Sequence, residues 1–257
     1  DGATPVYVAA ERGHVEVMRA LAEHGADVNT PAHDGTTPVY VAAQQGRVEV
    51  IRALAEHGAN LNAPAPDGAT PVYVAAERGH VEVVRALAEH GADVNTPAHD
   101  GVTPVYVAAQ QGHVEVIRAL TEHGADVNTP THDGATPVYV AAQQGHVEVI
   151  RALAKHGADL NAPAPDGATP VYMAAERGHV EVIRALAEHG ADVNTPAHDG
   201  ATPLYEAAHK GRVEVIRALT EHGADVNTPA HDGTIPAYVA AERGHVEVIR
   251  ALAEHGA

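Results

Sequence analysis

Histidine is the chain's one surplus among side chains that do chemistry. There are 20 of them, in three recurring registers represented by His14, His24 and His33, with His209 alone outside them. Imidazole ligates metals and titrates near neutrality, so a metal site and a pH response are the two chemistries to weigh. Geometry opposes the first. Ligands of one zinc each lie about 2 Å from it, whereas packed helices run about 8–10 Å apart, so equivalent histidines of neighbouring units do not readily share an ion. The second stands as an alternative. Protonating all 20 would move the net charge from −18 to +2, and with an ordinary imidazole value near ~6.5 much of that swing falls between about pH 7.5 and 5.5.

Other catalytic chemistry finds little to work with. A covalent mechanism needs an activated Ser, Cys, Thr or Lys. Ser and Cys are absent, the threonines sit at cap or loop positions, and lysine occurs only at Lys155 and Lys210. Carboxylates recur from unit to unit at the registers of Asp1, Glu16, Glu23 and Asp27, with Lys155 once at the Glu23 register. An active site is a singular constellation, whereas these read as solvated faces. The sequence therefore predicts no enzyme, no catalytic residue, no resident metal and no cofactor.

Charge and composition narrow the partners. With 16 basic against 34 acidic residues, the surface repels phosphate backbones and anionic lipid, which argues against nucleic acid and membrane as partners. No apolar run approaches the roughly 18 residues of a membrane span, and the first residues look like a repeat unit and not a signal peptide. A cytoplasmic or nuclear protein is the simplest expectation. Without cysteine there is no disulfide framework. Tyrosine supplies all the aromatic residues, so Val, Ile, Leu and Ala must build the core.

These side chains are positioned by a repeat. Asp-Gly returns at Asp1, Asp34, Asp67, Asp100, Asp133, Asp166, Asp199 and Asp232. The chain thus divides into eight units, 1–33, 34–66, 67–99, 100–132, 133–165, 166–198, 199–231 and the shorter 232–257, read as one domain. All 24 Gly and 17 Pro keep register with the units, so neither is left over for a separate phosphate-binding loop. Fixed self-similarity at this length marks a stacked array. Within a unit, Val6-Tyr7-Val8 has the β-propensity of a strand, but Thr4 is a good N-cap, Pro5 fits the first helical position and Gly13 can stop the helix. Caps outvote three residues, which predicts a first helix with Val6, Ala9 and Ala10 on one face. A second helix is expected over about 15–24, with Val15, Met18, Leu21 and Ala22 as its apolar stripe. The remainder to Gly35 is rich in turn formers and carries an Asp-Gly hairpin signal.

Asp-Gly-x-Thr-Pro-Val-Tyr-x-Ala-Ala-x-x-Gly-His followed by Gly-Ala-Asp-Val-Asn resembles the ankyrin repeat, over the whole chain and eight times. The resemblance implies an all-α solenoid of stacked helix-turn-helix units with short β-hairpin loops. It also implies a non-catalytic scaffold that binds a protein or peptide along a concave groove, formed by hairpin tips and the inner side of the first helices. One departure is visible: the family's Thr-Pro-Leu-His appears here as Thr-Pro-Val-Tyr, so the Thr–His bond cannot form at Tyr7, Tyr40 or Tyr73.

Candidate contact residues are those that vary on the constant frame. The pair after Ala-Ala reads Glu11-Arg12, Gln44-Gln45, Glu77-Arg78, Gln110-Gln111, Gln143-Gln144, Glu176-Arg177, His209-Lys210 and Glu242-Arg243. The register before Thr-Pro adds Thr36, Val102 and Thr234, and hairpin tips place His33, His99, His132, His198 and His231. The Val8 register would give an apolar strip if half exposed, with inter-helix packing as the alternative. It holds Glu206 in the seventh unit, where Leu204, His209, Lys210 and Arg212 also change, so that unit is the preferred place for local specificity. A spacer or engineered array with no dedicated partner remains a competing class. Leu61 to Pro66 returns at Leu160 to Pro165, and Thr121 as Thr220, a block duplication that favours a natural array over a uniform consensus design. Terminal units keep apolar residues where solenoids normally carry polar caps, which raises end-to-end self-association.

Overall fold

In the computed structural model, residues 2–257 are described; Asp1, first of the Asp-Gly registers, lies outside them. The chain falls into two compact units, 1–132 and 133–257, and the division coincides with a repeat boundary. The first contains α1 (Pro5–Arg12), α2 (Val15–Glu23), α3 (Pro38–Gln44), α4 (Val48–Glu56), α5 (Pro71–Glu77), α6 (Val81–Glu89), α7 (Pro104–Gln111) and α8 (Val114–Glu122). The second contains α9 (Pro137–Gln144), α10 (Val147–Lys155), α11 (Pro170–Arg177), α12 (Val180–Glu188), α13 (Pro203–His209), α14 (Val213–Glu221), α15 (Pro236–Glu242) and α16 (Val246–Glu254). In each unit, odd-numbered helices stack on odd and even on even, and each odd helix packs on the even helix that follows it. No strand occurs among the described residues. No helix among them is long and apolar enough to cross a membrane.

Local chemistry selects helix at Val-Tyr-Val as expected. Thr4 has extended backbone, and its hydroxyl accepts from Tyr7 N–H at 3.1 Å while Pro5 occupies the first turn. Gly13 closes the helix with φ +77°, a conformation in which a Cβ would crowd the following carbonyl. At α15 the cap is Ile235, and no side-chain cap bond forms. The second helix ends one residue earlier than expected. His24 follows it, and its Nδ1–H donates to the Ala20 carbonyl at 2.8 Å.

The stripe of the second helix is broader than its periodicity predicts. In α6, Val83, Val84, Ala86 and Leu87 are fully buried while Val81 and Ala88 are half-buried. The Met18 and Leu21 registers are therefore core positions, the Val15 and Ala22 registers lie at the margin, and the Val17 and Ala20 registers join the core. The cause is tertiary: α6 touches α4 and α8 as well as α5, so it needs apolar surface on three sides. The Ala pair of each first helix from α3 to α13, such as Ala75-Ala76, is wholly inaccessible, whereas Ala241 of α15 is exposed. With no side chain beyond Cβ, the pair lets backbones approach closely.

The expected hairpins are tight turns held by few bonds. Around Asp34, Ala32 N–H donates to the Thr36 carbonyl at 2.8 Å and Gly35 N–H to the Ala32 carbonyl at 3.0 Å. Successive turns are tied together, since His99 and His132 donate backbone N–H groups to the Asp67 and Asp100 carbonyls. A side-chain ladder repeats the coupling one step away. Asn29 Oδ1 accepts from Asn60 N–H at 2.7 Å, and Asn62 and Asn95 accept from Asp93 and Asp126 at 2.8 Å. Backbone N–H groups with no helical or sheet partner thus find one in the preceding repeat.

Candidate protein-interaction face

Each variable pair sits where a first helix ends. The second members, Arg12, Gln45, Arg78, Gln111, Gln144, Arg177, Lys210 and Arg243, are all exposed. The first members Glu11, Gln44, Glu77, Gln143, Glu176 and His209 are half-buried, and Gln110 and Glu242 are exposed. Their backbones are engaged by the stack. The His14 register of the following repeat reaches back to them: His80 Nε2 donates to the Gln44 carbonyl and His113 Nε2 to the Glu77 carbonyl, each at 3.1 Å. Where arginine replaces this histidine the bond persists, Arg47 Nε to the Glu11 carbonyl at 3.2 Å and Arg212 Nε to the Glu176 carbonyl at 3.0 Å.

The histidine surplus is thereby largely accounted for. One register ties repeat to repeat and a second caps the second helices. The third, with His33, His99, His132, His198 and His231, is exposed and lays its rings over the glycine of the preceding turn. A ring nitrogen that donates to a carbonyl carries its proton there and has no lone pair for a metal. Among the described residues no group of three or more His, Asp or Glu is placed to hold an ion.

The register before Thr-Pro divides in two. Val102 is half-buried, whereas Thr36 and Thr234 are drawn into hydrogen-bond chains. Thr36 donates to Asp34 at 2.7 Å, so the Tyr7 hydroxyl at 3.1 Å must be the donor to Thr36. Tyr205 to Thr234 to Asp232 repeats the chain at 2.9 and 2.6 Å. The threonine hydroxyls hold both carboxyls below the ordinary carboxylate range. These tyrosines are what sequence reasoning left without a role: unable to make the family's Thr–His bond, they link a first helix to the next turn. Burial pushes the Tyr40 and Tyr73 phenols up to about 12. The signal that could have found them was the pairing of Tyr with Thr one repeat later.

The Val8 register forms no exposed strip inside the units. Val41, Val74, Val107, Met173 and Val239 are buried, so the packing alternative is what the fold adopts there. Glu206 is the exception. Its carboxylate, only 13% exposed, sits beside Lys210 Nζ at 3.4 Å and accepts from the Tyr172 hydroxyl at 3.5 Å. His209 Nδ1 lies 3.9 Å away. An arginine can only donate, so Arg243, at 2.7 Å from His209 Nε2, fixes the neutral His209 tautomer with its proton on Nδ1, facing Glu206. Of the predicted contact residues, the structure thus brings Glu206, His209, Lys210 and Arg243 into one cluster. Glu206→Val removes one partner only: the half-buried Tyr172 hydroxyl loses its acceptor, while Lys210, 39% exposed, keeps its water. The variant is accordingly expected to lose about 1 kcal/mol of stability, the low end of the cost of leaving a donor unsatisfied. Urea titration checks this, and a gain in stability would contradict it.

The repeat and its stacked helix pairs have counterparts elsewhere. A family model described as ankyrin repeats, three copies, matches residues 1–65, 63–131, 128–197 and 195–257. The crystal structure of the human ASB11 ankyrin repeat domain is similar at 31% identity and a TM-score of 0.76, over 86% of this chain and 99% of that one. No curated protein matches the chain. Because the family model covers every repeat and the helix pairs stack as it requires, the chain belongs to the ankyrin-repeat family.

Proposed function

We propose that the chain is a non-catalytic scaffold that holds a protein or peptide partner against the ends of its first helices and its hairpin tips. Ankyrin repeats are generally protein-interaction modules and typically non-catalytic, and function resides in the site carried by the fold. The observation that carries the reading is the contrast within each repeat. The buried frame is nearly constant, while the exposed residue after it changes from Arg12 to Gln45, Arg78, Gln111, Gln144, Arg177, Lys210 and Arg243. Packing constrains the frame, and nothing in packing requires the exposed series to vary. Contacts there would be polar and rim-like, with local specificity from the Glu206–Lys210 cluster.

Affinity capture from the source cell tests it. A chain with Gln110→Lys, Gln111→Lys, Gln143→Lys and Gln144→Lys should retain its helix content and lose at least tenfold in affinity for captured partners, about 1.4 kcal/mol. An unchanged partner set would favour a spacer array.

A further inference from the structure

Positive charge is scarce on this chain, with 16 basic against 34 acidic residues, and most of it is neutralised where it stands. Each arginine of the second helices lies 2.7–3.9 Å from the glutamate one turn earlier. At the first-helix ends, Arg12 and Arg78 lie 3.9 and 3.7 Å from Glu11 and Glu77. The second unit breaks the pattern. Among its described residues no carboxylate pairs with Arg177, Arg212 or Arg243. Arg212 Nε donates to the Glu176 carbonyl at 3.0 Å, and Arg243 turns to His209 Nε2 at 2.7 Å. Lys210 joins them, 3.4 Å from the largely buried Glu206. Arg177, Lys210 and Arg243 are exposed at the ends of α11, α13 and α15, the one place where that row carries cations in consecutive repeats.

A shallow depression of about 340 Å³ coincides with these charges, its lining including Val180, Lys210, Arg212 and Val213. Glycine leaves the space open: the Arg212 guanidinium lies against Gly178, where a side chain would displace it. With Nε committed to a backbone carbonyl, the two terminal nitrogens of Arg212 keep their donors, a fork that matches a carboxylate. Lys210 has three donors and directs one toward Glu206. Val180 and Val213 are half-buried and give the depression an apolar wall. The acidic residue at its edge, Glu214, is held by Arg217 at 3.1 Å. The occupant that fits is a carboxylate beside an apolar side chain. A phosphate dianion is less well matched, because it brings more negative charge to a chain whose net charge is already −18.

We propose that this cluster docks an acidic segment of a protein partner. One Glu or Asp carboxylate of the segment accepts from the terminal N–H groups of Arg212 and from Lys210 Nζ, while a neighbouring apolar side chain covers Val180 and Val213. Arg177 and Arg243 receive the flanking carboxylates. The inference rests on the scaffold reading above and names the chemistry of its partner.

Fluorescence anisotropy of a labelled Glu-Glu-Leu-Glu-Glu-Leu-Glu-Glu peptide with the 257-residue chain tests this. Lys210→Gln with Arg212→His installs what the same registers carry at Gln144 and His146. The imidazole can keep the bond to the Glu176 carbonyl, as His179 does to Gln143 at 3.1 Å, so folding is kept and circular dichroism verifies it. Arg47→His is the control, at the one other arginine of that register. The wild type should bind the peptide, more weakly as salt rises. The double variant should bind it at least tenfold more weakly, the effect of losing two charge-assisted contacts, and Arg47→His should bind as the wild type does. A wild type that does not bind overturns the proposal, as does a double variant that binds equally well or an Arg47→His that loses as much. Tighter binding of a phosphoserine version of the peptide, or of oligothymidylate, also overturns it, because the cluster would then read phosphate. Failure of the scaffold reading is separate: its capture experiment reads Gln110, Gln111, Gln143 and Gln144, none of them in this cluster.

Discussion

Leu87→Ala is expected to destabilise the first unit by about 2–5 kcal/mol, the range for truncating a buried leucine. Leu87 is wholly inaccessible and lies on α6, which packs against α4, α5 and α8. Three helices border the void, and none can collapse into it without leaving its register with the others, which places the cost toward the upper half. In a stack, stability is a sum of repeat terms and neighbour terms, and the third repeat holds two neighbour terms inside its unit. The loss should appear as earlier unfolding of the first unit in urea, with amide exchange accelerated across α4–α8. Leu21→Ala is the internal comparison. Leu21 is half-buried on α2, which packs on α1 and α4, so its cost should be less than half as large. Equal costs would mean that the stack does not transmit packing as described.

Gly200→Ala is expected to cost about 2–5 kcal/mol, from two sources that a second glycine separates. Gly200 has φ +83°, and an L-residue held there costs roughly 1–2 kcal/mol. A Cβ at Gly200 would also lie 2.4 Å from His231 Cδ2 and 2.7 Å from the His231 backbone nitrogen. The ring can swing away. The nitrogen cannot, because its N–H donates to the Asp199 carbonyl at 3.0 Å and ties one turn to the next. Overpacking against a fixed group adds roughly 1–3 kcal/mol. Gly223 has φ +86° but nothing within 4 Å of its Cβ position, so Gly223→Ala isolates the backbone cost. Thermal unfolding of both variants checks the difference, and equal losses would show that the turn-to-turn contact is slack.

The two glycines also mark where sequence reading runs out. Both follow from the same logic on paper: one glycine per helix end or turn, each in a left-handed conformation. Only the stack separates them, because the residue above Gly200 belongs to the next Asp-Gly turn and nothing lies within 4 Å of the Gly223 Cβ position. The Val8 register shows the same limit. Its alternation of Val, Met and Glu206 suits an exposed strip or an interior layer equally well, and contact between consecutive first helices decides for the interior. Likewise the histidines serve as inter-repeat bond, helix cap or turn cover, and while the cap bonds within its own helix, the other two roles depend on what the stack places beside them.

What this sequence determined by itself was everything local in the chain: the eight-fold period, the Thr-Pro starts, the glycine stops, the preference for helix at Val6-Tyr7-Val8 and the membership these imply. Caps and turns act within four residues, so their chemistry is legible in one dimension. Only the tertiary structure decided which sides of each second helix are core, which tyrosines bond forward to a threonine, and that Glu206 shares a cluster with Arg243. Those outcomes depend on groups about 30 residues apart, brought into contact by stacking, and a burial pattern set by three neighbouring helices leaves no simple period along the chain.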